Sequence, residues 1–151
     1  MKKSEHAANR RFQEEEVMKP ALIDTNILSF FFRNHNLVVE RFEAYLKEHS
    51  KINTSIITYY EILSGLKHRD AQKQLTSFLT FASYNIVLPL TTHSTTISAD
   101  IYANLRKAGT PIDDIDILIA GIAIANDLVI ITNNQRDFEK IEGLEIEDWS
   151  Q

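Results

Sequence analysis

The sequence predicts a three-layer α/β/α domain on a central, mainly parallel twisted sheet. Three observations carry that expectation. Short apolar runs alternate with longer segments whose apolar residues recur every three or four positions, the pattern of βαβ units covered on both faces. A chain of 151 residues suits one such domain with a real core. Acidic residues interrupt or end several of the apolar runs, and open parallel sheets bind ligands beyond the carboxyl ends of their strands.

Residues 1–17 stand apart, because Met1-Lys2-Lys3-Ser4-Glu5-His6 and Glu14-Glu15-Glu16 are polar and carry no core-forming period. They are read as a tail, either disordered or an extension from an upstream start, with Met18 as the natural start and the domain spanning 18–151. An intact mass from the native source that includes residues 1–17 would refute that start. The strand-like runs follow at Ala21–Asp24, Lys51–Thr54, Asn85–Leu90 and Leu128–Thr132, with a weaker one at Leu144–Ile146. A short apolar helix is expected after Thr25-Asn26. Longer helical patterns cover Asn36–His49, Ser55–Leu66, Ala71–Phe81, Ser94–Lys107 and Asp114–Asn126, and Gly109-Thr110-Pro111 marks a break. At least two rings of Phe30-Phe31-Phe32 are expected in the core, the alternative being a groove that receives a partner helix.

Composition narrows the function. The hydrophobic fraction of 44% and charged fraction of 25% are ordinary for a soluble globular protein. No run is long enough to span a bilayer and no signal-peptide core is present, so no membrane partner and a cytoplasmic location are expected. Cysteine is absent, which excludes disulfides, thiolate zinc sites and cysteine nucleophiles. A net charge of -5 argues against binding nucleic acid through a global positive field, without excluding an RNA substrate. Lys67, His68, Arg69, Lys73, Arg106 and Lys107 either touch phosphates or form a solvated face.

The acids are the chemically informative residues. Asp24 ends Ala21-Leu22-Ile23, Glu61 interrupts the helical run from Ile56 to Leu63, and Asp116 faces Ile119, Ala120 and Ala123 on its helix. A carboxylate in an apolar stretch is costly unless paired, protonated or bound to a cation. Each has a plainer reading: Asp24 as an N-cap, Glu61 as a solvated residue. Asp116 has less need of one, since Asp113 or Asp114 can cap its helix. Asp137 follows the last long strand in Thr132-Asn133-Asn134-Gln135-Arg136-Asp137-Phe138, where Thr132 and Asn134 add neutral oxygens. Alternatively this loop is a polar turn capping a short helix. A shared divalent metal is the economical explanation for the acids, and Mg²⁺ or Mn²⁺ prefers such oxygen ligands. Metal and carboxylates together point to phosphodiester chemistry.

Leu22-Ile23-Asp24-Thr25-Asn26-Ile27-Leu28 resembles the opening of PIN-domain proteins. Ser55–Gly65 resembles their second block, and Gly109–Ile112, Asp116–Gly121, Thr132–Phe138 and the tail Gly143–Trp149 complete the set. Over residues 20–149 the chain most resembles the VapC toxins of type II toxin–antitoxin systems. The resemblance implies an Mg²⁺- or Mn²⁺-dependent endoribonuclease, silenced by a VapB-type antitoxin and commonly dimeric. It implies that Asp24, Glu61 and Asp116 bind the metal and that Thr25, Thr132 and Asn134 orient them by hydrogen bonds. Asn134 stands where the family often has a fourth acid, and Asp137 supplies that charge instead. The implied reaction is hydrolysis that leaves a 5′-phosphate. Two rivals remain. An aspartyl-nucleophile phosphatase would want an acid where Asn26 stands. A catalytically weak PIN-like module would bind RNA or protein without cutting.

Overall fold

The structure, a computed structural model, describes residues 17–151. The expected tail falls almost wholly on residues 1–16, outside those described. Pro20 closes the approach to Ala21-Leu22-Ile23, a run of three apolar residues that forms strand β1 (Ala21–Ile23), buried throughout. Three further short strands and a two-residue one complete the sheet: β2 (Asn53–Ser55), β3 (Ile86–Leu88), β4 (Val129–Ile131) and β5 (Ile146–Glu147). Their order is β3-β2-β1-β4-β5, and every pairing is parallel. β1 is therefore central, in register with β4 through Ala21–Val129, Leu22–Ile130 and Ile23–Ile131.

Six helices fall on the expected short apolar or periodic segments: α1 (Thr25–Phe32), α2 (Asn36–Glu48), α3 (Ile56–His68), α4 (Gln72–Tyr84), α5 (Thr92–Lys107) and α6 (Asp114–Ala125); the short α7 (Gln135–Phe138) follows the polar turn after β4. Two strand boundaries move for identifiable reasons. Pro89 has no N–H for a ladder, so β3 stops at Leu88. The amide of Ile52 donates to the side chain of Asn85 at 2.8 Å, and β2 begins only after it. Gly109 ends α5 with φ 73°, a left-handed conformation that costs glycine nothing, and Thr110 N–H turns back to the carbonyl of Leu105.

Alternation along the strands sorts the core into two layers. Ala21, Ile23, Val129 and Ile131 join residues of α1 to α4 on one face. Leu22 and Ile130 join α5, α6 and Phe138 on the other. Phe30 and Phe31 pack against the first layer, whereas Phe32 is 37% exposed, so two of the three rings belong to the core. In the second layer α5 and α6 approach closely. A Cβ on Gly121 would fall on the Ser98 hydroxyl and lie 2.6 Å from the Ser94 carbonyl oxygen. That gap lets Ser98 donate to the carbonyl of Ile117 at 3.0 Å, tying the first turn of α6 to α5. No described helix is long and apolar enough to cross a membrane.

Candidate active site

The carboxyl edge of β1 and β4 collects the predicted residues. Asp24 follows β1, and its backbone N–H continues the ladder to the carbonyl of Ile131 at 2.9 Å. Its side chain is 3% exposed. Oδ1 accepts from the amide of Thr25 at 2.9 Å, so the capping reading holds. Oδ2 accepts from the Thr132 hydroxyl at 2.7 Å and from Asn26 Nδ2 at 3.4 Å. Capping leaves room for a further ligand, because Oδ1 accepts a single bond and has a second lone pair, whereas Oδ2 already accepts two.

Thr132, buried at the end of β4, also accepts from the amide of Asn134 at 3.0 Å, which fixes the start of the following loop. Across the cleft, the Thr25 hydroxyl donates to Glu61 Oε1 at 2.7 Å and pairs with the Thr58 hydroxyl at 2.9 Å. Thr58 lies one turn before Glu61 on α3, so this bond holds the exposed Glu61 toward the sheet edge. Asp113 caps α6 by accepting from the amide of Ile115 at 2.8 Å, leaving Asp116 free of that duty. Asn134 Nδ2 lies 3.2 Å from both Asp116 Oδ2 and Asp137 Oδ2 and bridges the two acids. Asp137 also faces Lys140 at 3.7 Å.

The electrostatics are those of charges held together against their preference. Burial pushes the Asp24 carboxyl above its ordinary range, with the charge of Glu61 adding to it and the bonds from Thr132, Thr25 and Asn26 opposing it. Asp116 is pushed up to about 7, first by burial, then by the charges of Asp24, Asp113, Asp137 and Glu61. Among the described residues neither Asp24, Glu61 nor Asp116 has a Lys, Arg or His within 4.0 Å. A bound cation would offset this repulsion.

The donor set is all oxygen, which fits a hard divalent ion. Among the described residues no three carboxylates close into a ready-made cage. Every residue singled out from the sequence, Asp24, Glu61, Asp116, Asp137, Thr25, Thr132 and Asn134, thus lies in one hydrogen-bonded or electrostatically coupled group. Sequence reading gave no role to Asn26, whose Oδ1 accepts from the amide of Asn133 at 3.2 Å. Its position two residues after Asp24, on the turn leaving β1, was the available signal.

The PIN-domain family model matches residues 21–144. The tRNA(fMet)-specific endonuclease VapC of Shigella flexneri is 35% identical over 131 residues, covering 85% of this chain and 97% of that protein. Among solved structures, DNA-bound VapBC from Salmonella typhimurium has a TM-score of 0.78 at 35% identity, over 87% of this chain and 99% of the matched one. VapBC2 from Rickettsia felis, bound to a promoter DNA fragment, has a TM-score of 0.77 at 27% identity, over 85% and 98%. Matched along nearly the whole of its relatives, with acids in order at the sheet edge, this chain belongs to the PIN-domain family and, within it, to the VapC group.

Proposed function

We propose that the chain is an endoribonuclease toxin that hydrolyses RNA with Mg²⁺ or Mn²⁺ and is inhibited by a VapB-type antitoxin. The observation that carries this reading is the gathering of Asp24, Glu61 and Asp116 at one sheet edge without a basic partner. Asp24 and Asp116 would hold the cation, with Glu61 beside them. When bound, the ion supplies an activated water for in-line attack and neutralises charge on the phosphodiester.

The protein's part is orientation. Thr132 and the Thr25 amide fix the plane of the Asp24 carboxylate. Thr25 occupies Glu61 Oε1 and leaves Oε2 to position the attacking water. Asn134 holds Asp116 and Asp137 apart with a neutral amide where an acid would add further repulsion. The water oxygen adds to phosphorus and the bond to the 3′ oxygen breaks. The products are a 3′-hydroxyl and a 5′-phosphate, and the 2′-hydroxyl takes no part.

Initiator transfer RNA is the first substrate to try, given the name of the Shigella relative. The VapBC complexes among the matched structures support the antitoxin partner. Exposed Ile86 on the free edge strand β3 and Leu90 just after it support a homodimer. The decisive test is cleavage of total RNA and initiator transfer RNA by antitoxin-free protein, with either metal or with chelator. Asp24→Asn and Asp116→Asn should each lower metal-dependent cutting by more than about 100-fold. Cutting that survives both changes, or ends carrying 2′,3′-cyclic phosphate, would sink the mechanism. Folded protein that neither cuts nor binds metal would be the binding module instead.

A further inference from the structure

The residue two positions after Asp24 is neutral, half-buried and hydrogen-bonded in two directions. Asn26 Nδ2 donates to Asp24 Oδ2 at 3.4 Å, and Asn26 Oδ1 accepts from the amide of Asn133 at 3.2 Å. The Thr132 hydroxyl donates to the same Asp24 oxygen at 2.7 Å and accepts from the amide of Asn134 at 3.0 Å. Together these bonds close a ring through Asp24, Thr132, the backbone of residues 133–134 and Asn26. The ring joins the first turn of α1, just after β1, to the turn leaving β4, the neighbouring strand. From that second turn Asn134 Nδ2 reaches Asp116 and Asp137, at 3.2 Å each.

We propose, resting on the nuclease reading above, that Asn26 is a positioning residue. It latches the turn after β4 onto Asp24 and so sets the spacing between Asp24 and Asp116. Its first effect is on Asp24 itself. Asn26 and Thr132 fill Oδ2 between them, so the lone pair left for a cation lies on Oδ1. Its second effect is on Asn134, which can bridge Asp116 and Asp137 only while its backbone is held. Asn26 and Thr132 hold the two consecutive amides at that point. A primary amide suits the position, because one planar group donates to the carboxylate and accepts from the amide. An acid there would keep the acceptor but turn a like charge toward the buried Asp24. Helix capping does not account for Asn26. Asp24 caps α1, and neither bond of the Asn26 side chain goes to the backbone of that helix.

The test compares full-length, antitoxin-free wild type with Asn26→Ala, Thr132→Val and the double variant. Two quantities are measured: Mn²⁺ affinity, from the electron paramagnetic resonance of the free ion, and single-turnover cleavage of initiator transfer RNA. Asn26→Ala should weaken Mn²⁺ binding and lower the maximal rate by about tenfold or more, the range typical for groups that orient metal-binding acids. The RNA concentration at half-maximal rate should stay the same, because Asn26 acts through other residues. The double variant should lose less than the product of the two single losses, since both residues belong to one ring. Hydrogen exchange at the Asn133 amide should accelerate in Asn26→Ala. Metal-free melting temperatures should match wild type closely, because Asn26 lies outside both core layers. Unchanged Mn²⁺ affinity and rate in Asn26→Ala would overturn the proposal while leaving the nuclease intact. So would losses that multiply in the double variant. A raised half-maximal RNA concentration at an unchanged maximal rate would overturn it too, by making Asn26 a substrate contact. The Mn²⁺ arm decides the matter even if another RNA is the native substrate. A wild-type chain that neither binds Mn²⁺ nor cuts RNA would bring down the nuclease reading, and the latch with it.

Discussion

The two ends of β1 lie within one three-residue strand and obey opposite rules. At the entry, the backbone groups are matched, although the Trp149 indole N–H is buried there without a partner. The amide of Ala21 donates to the Tyr45 hydroxyl at 3.1 Å, Met18 O accepts from His49 Nε2 at 2.6 Å, and the Met18 amide donates to Glu48 at 2.8 Å. Phe42, Tyr45 and Trp149 pack their rings around that corner, at centroid separations of 5.5 and 5.7 Å from the indole. At the exit, Asp24 is equally buried and well hydrogen-bonded, yet it faces other acids. One end is organised to hold the strand; the other holds like charges in place for something that comes later. Stability and chemistry are thus separated along about 10 Å of backbone.

Breaking the exit should be felt in rate. Thr132→Val keeps the shape of the side chain but removes the donor to Asp24 Oδ2 and the acceptor of the Asn134 amide. A loss of about 10–100-fold in single-turnover cleavage is expected, the range typical for groups that orient metal-binding acids. An unchanged rate would mean that the exit is not preorganised.

Breaking the entry should be felt in stability. Tyr45→Phe leaves the buried amide of Ala21 without its acceptor and should cost about 1–3 kcal/mol in denaturant unfolding. Cleavage by the folded fraction should be unaltered. A rate defect at full folding would show that the two ends are coupled after all.

The subtlest contrast lies in pH. Asp116 holds its proton up to about 7 in the folded chain, against 3.8 ordinarily. Between those values the folded state binds a proton that the unfolded state has released, so metal-free stability falls as pH rises. The loss is complete above about 7, and no slope from this group remains below about 3.8. Melting temperatures of chelated protein should therefore decline across that window, and Asp116→Asn should flatten the decline. A divalent ion should restore stability at pH 8 in the parent and not in the variant. A decline of the same size in both proteins would assign it to other groups.

How much of this could be read in the chain depended on how local each cause was. The layers, the strand order of appearance and the acids were legible, because apolar period and interrupted runs are written in consecutive residues. The boundaries of β2 and β3 were less so. Pro89 was a visible stop, but the bond from Ile52 to Asn85 spans 33 positions. No local pattern signalled that Thr132, 108 positions away, shares the carboxylate with which Asp24 caps α1. The Asn134 bridge depends on how a helix and a loop converge at one edge, which no pattern within a single element records.

The seam between α5 and α6 carries a lesson for inheritance. Ser98 grips the carbonyl next to Asp116, and Gly121 leaves the room that makes the grip possible. The acid's position is thus decided partly by buried packing between two helices. A descendant could keep all four carboxylates and still fall silent through a single methyl group at position 121. Counting acids across a lineage is therefore a poor census of its living enzymes, and the small residues behind α6 deserve to be counted with them.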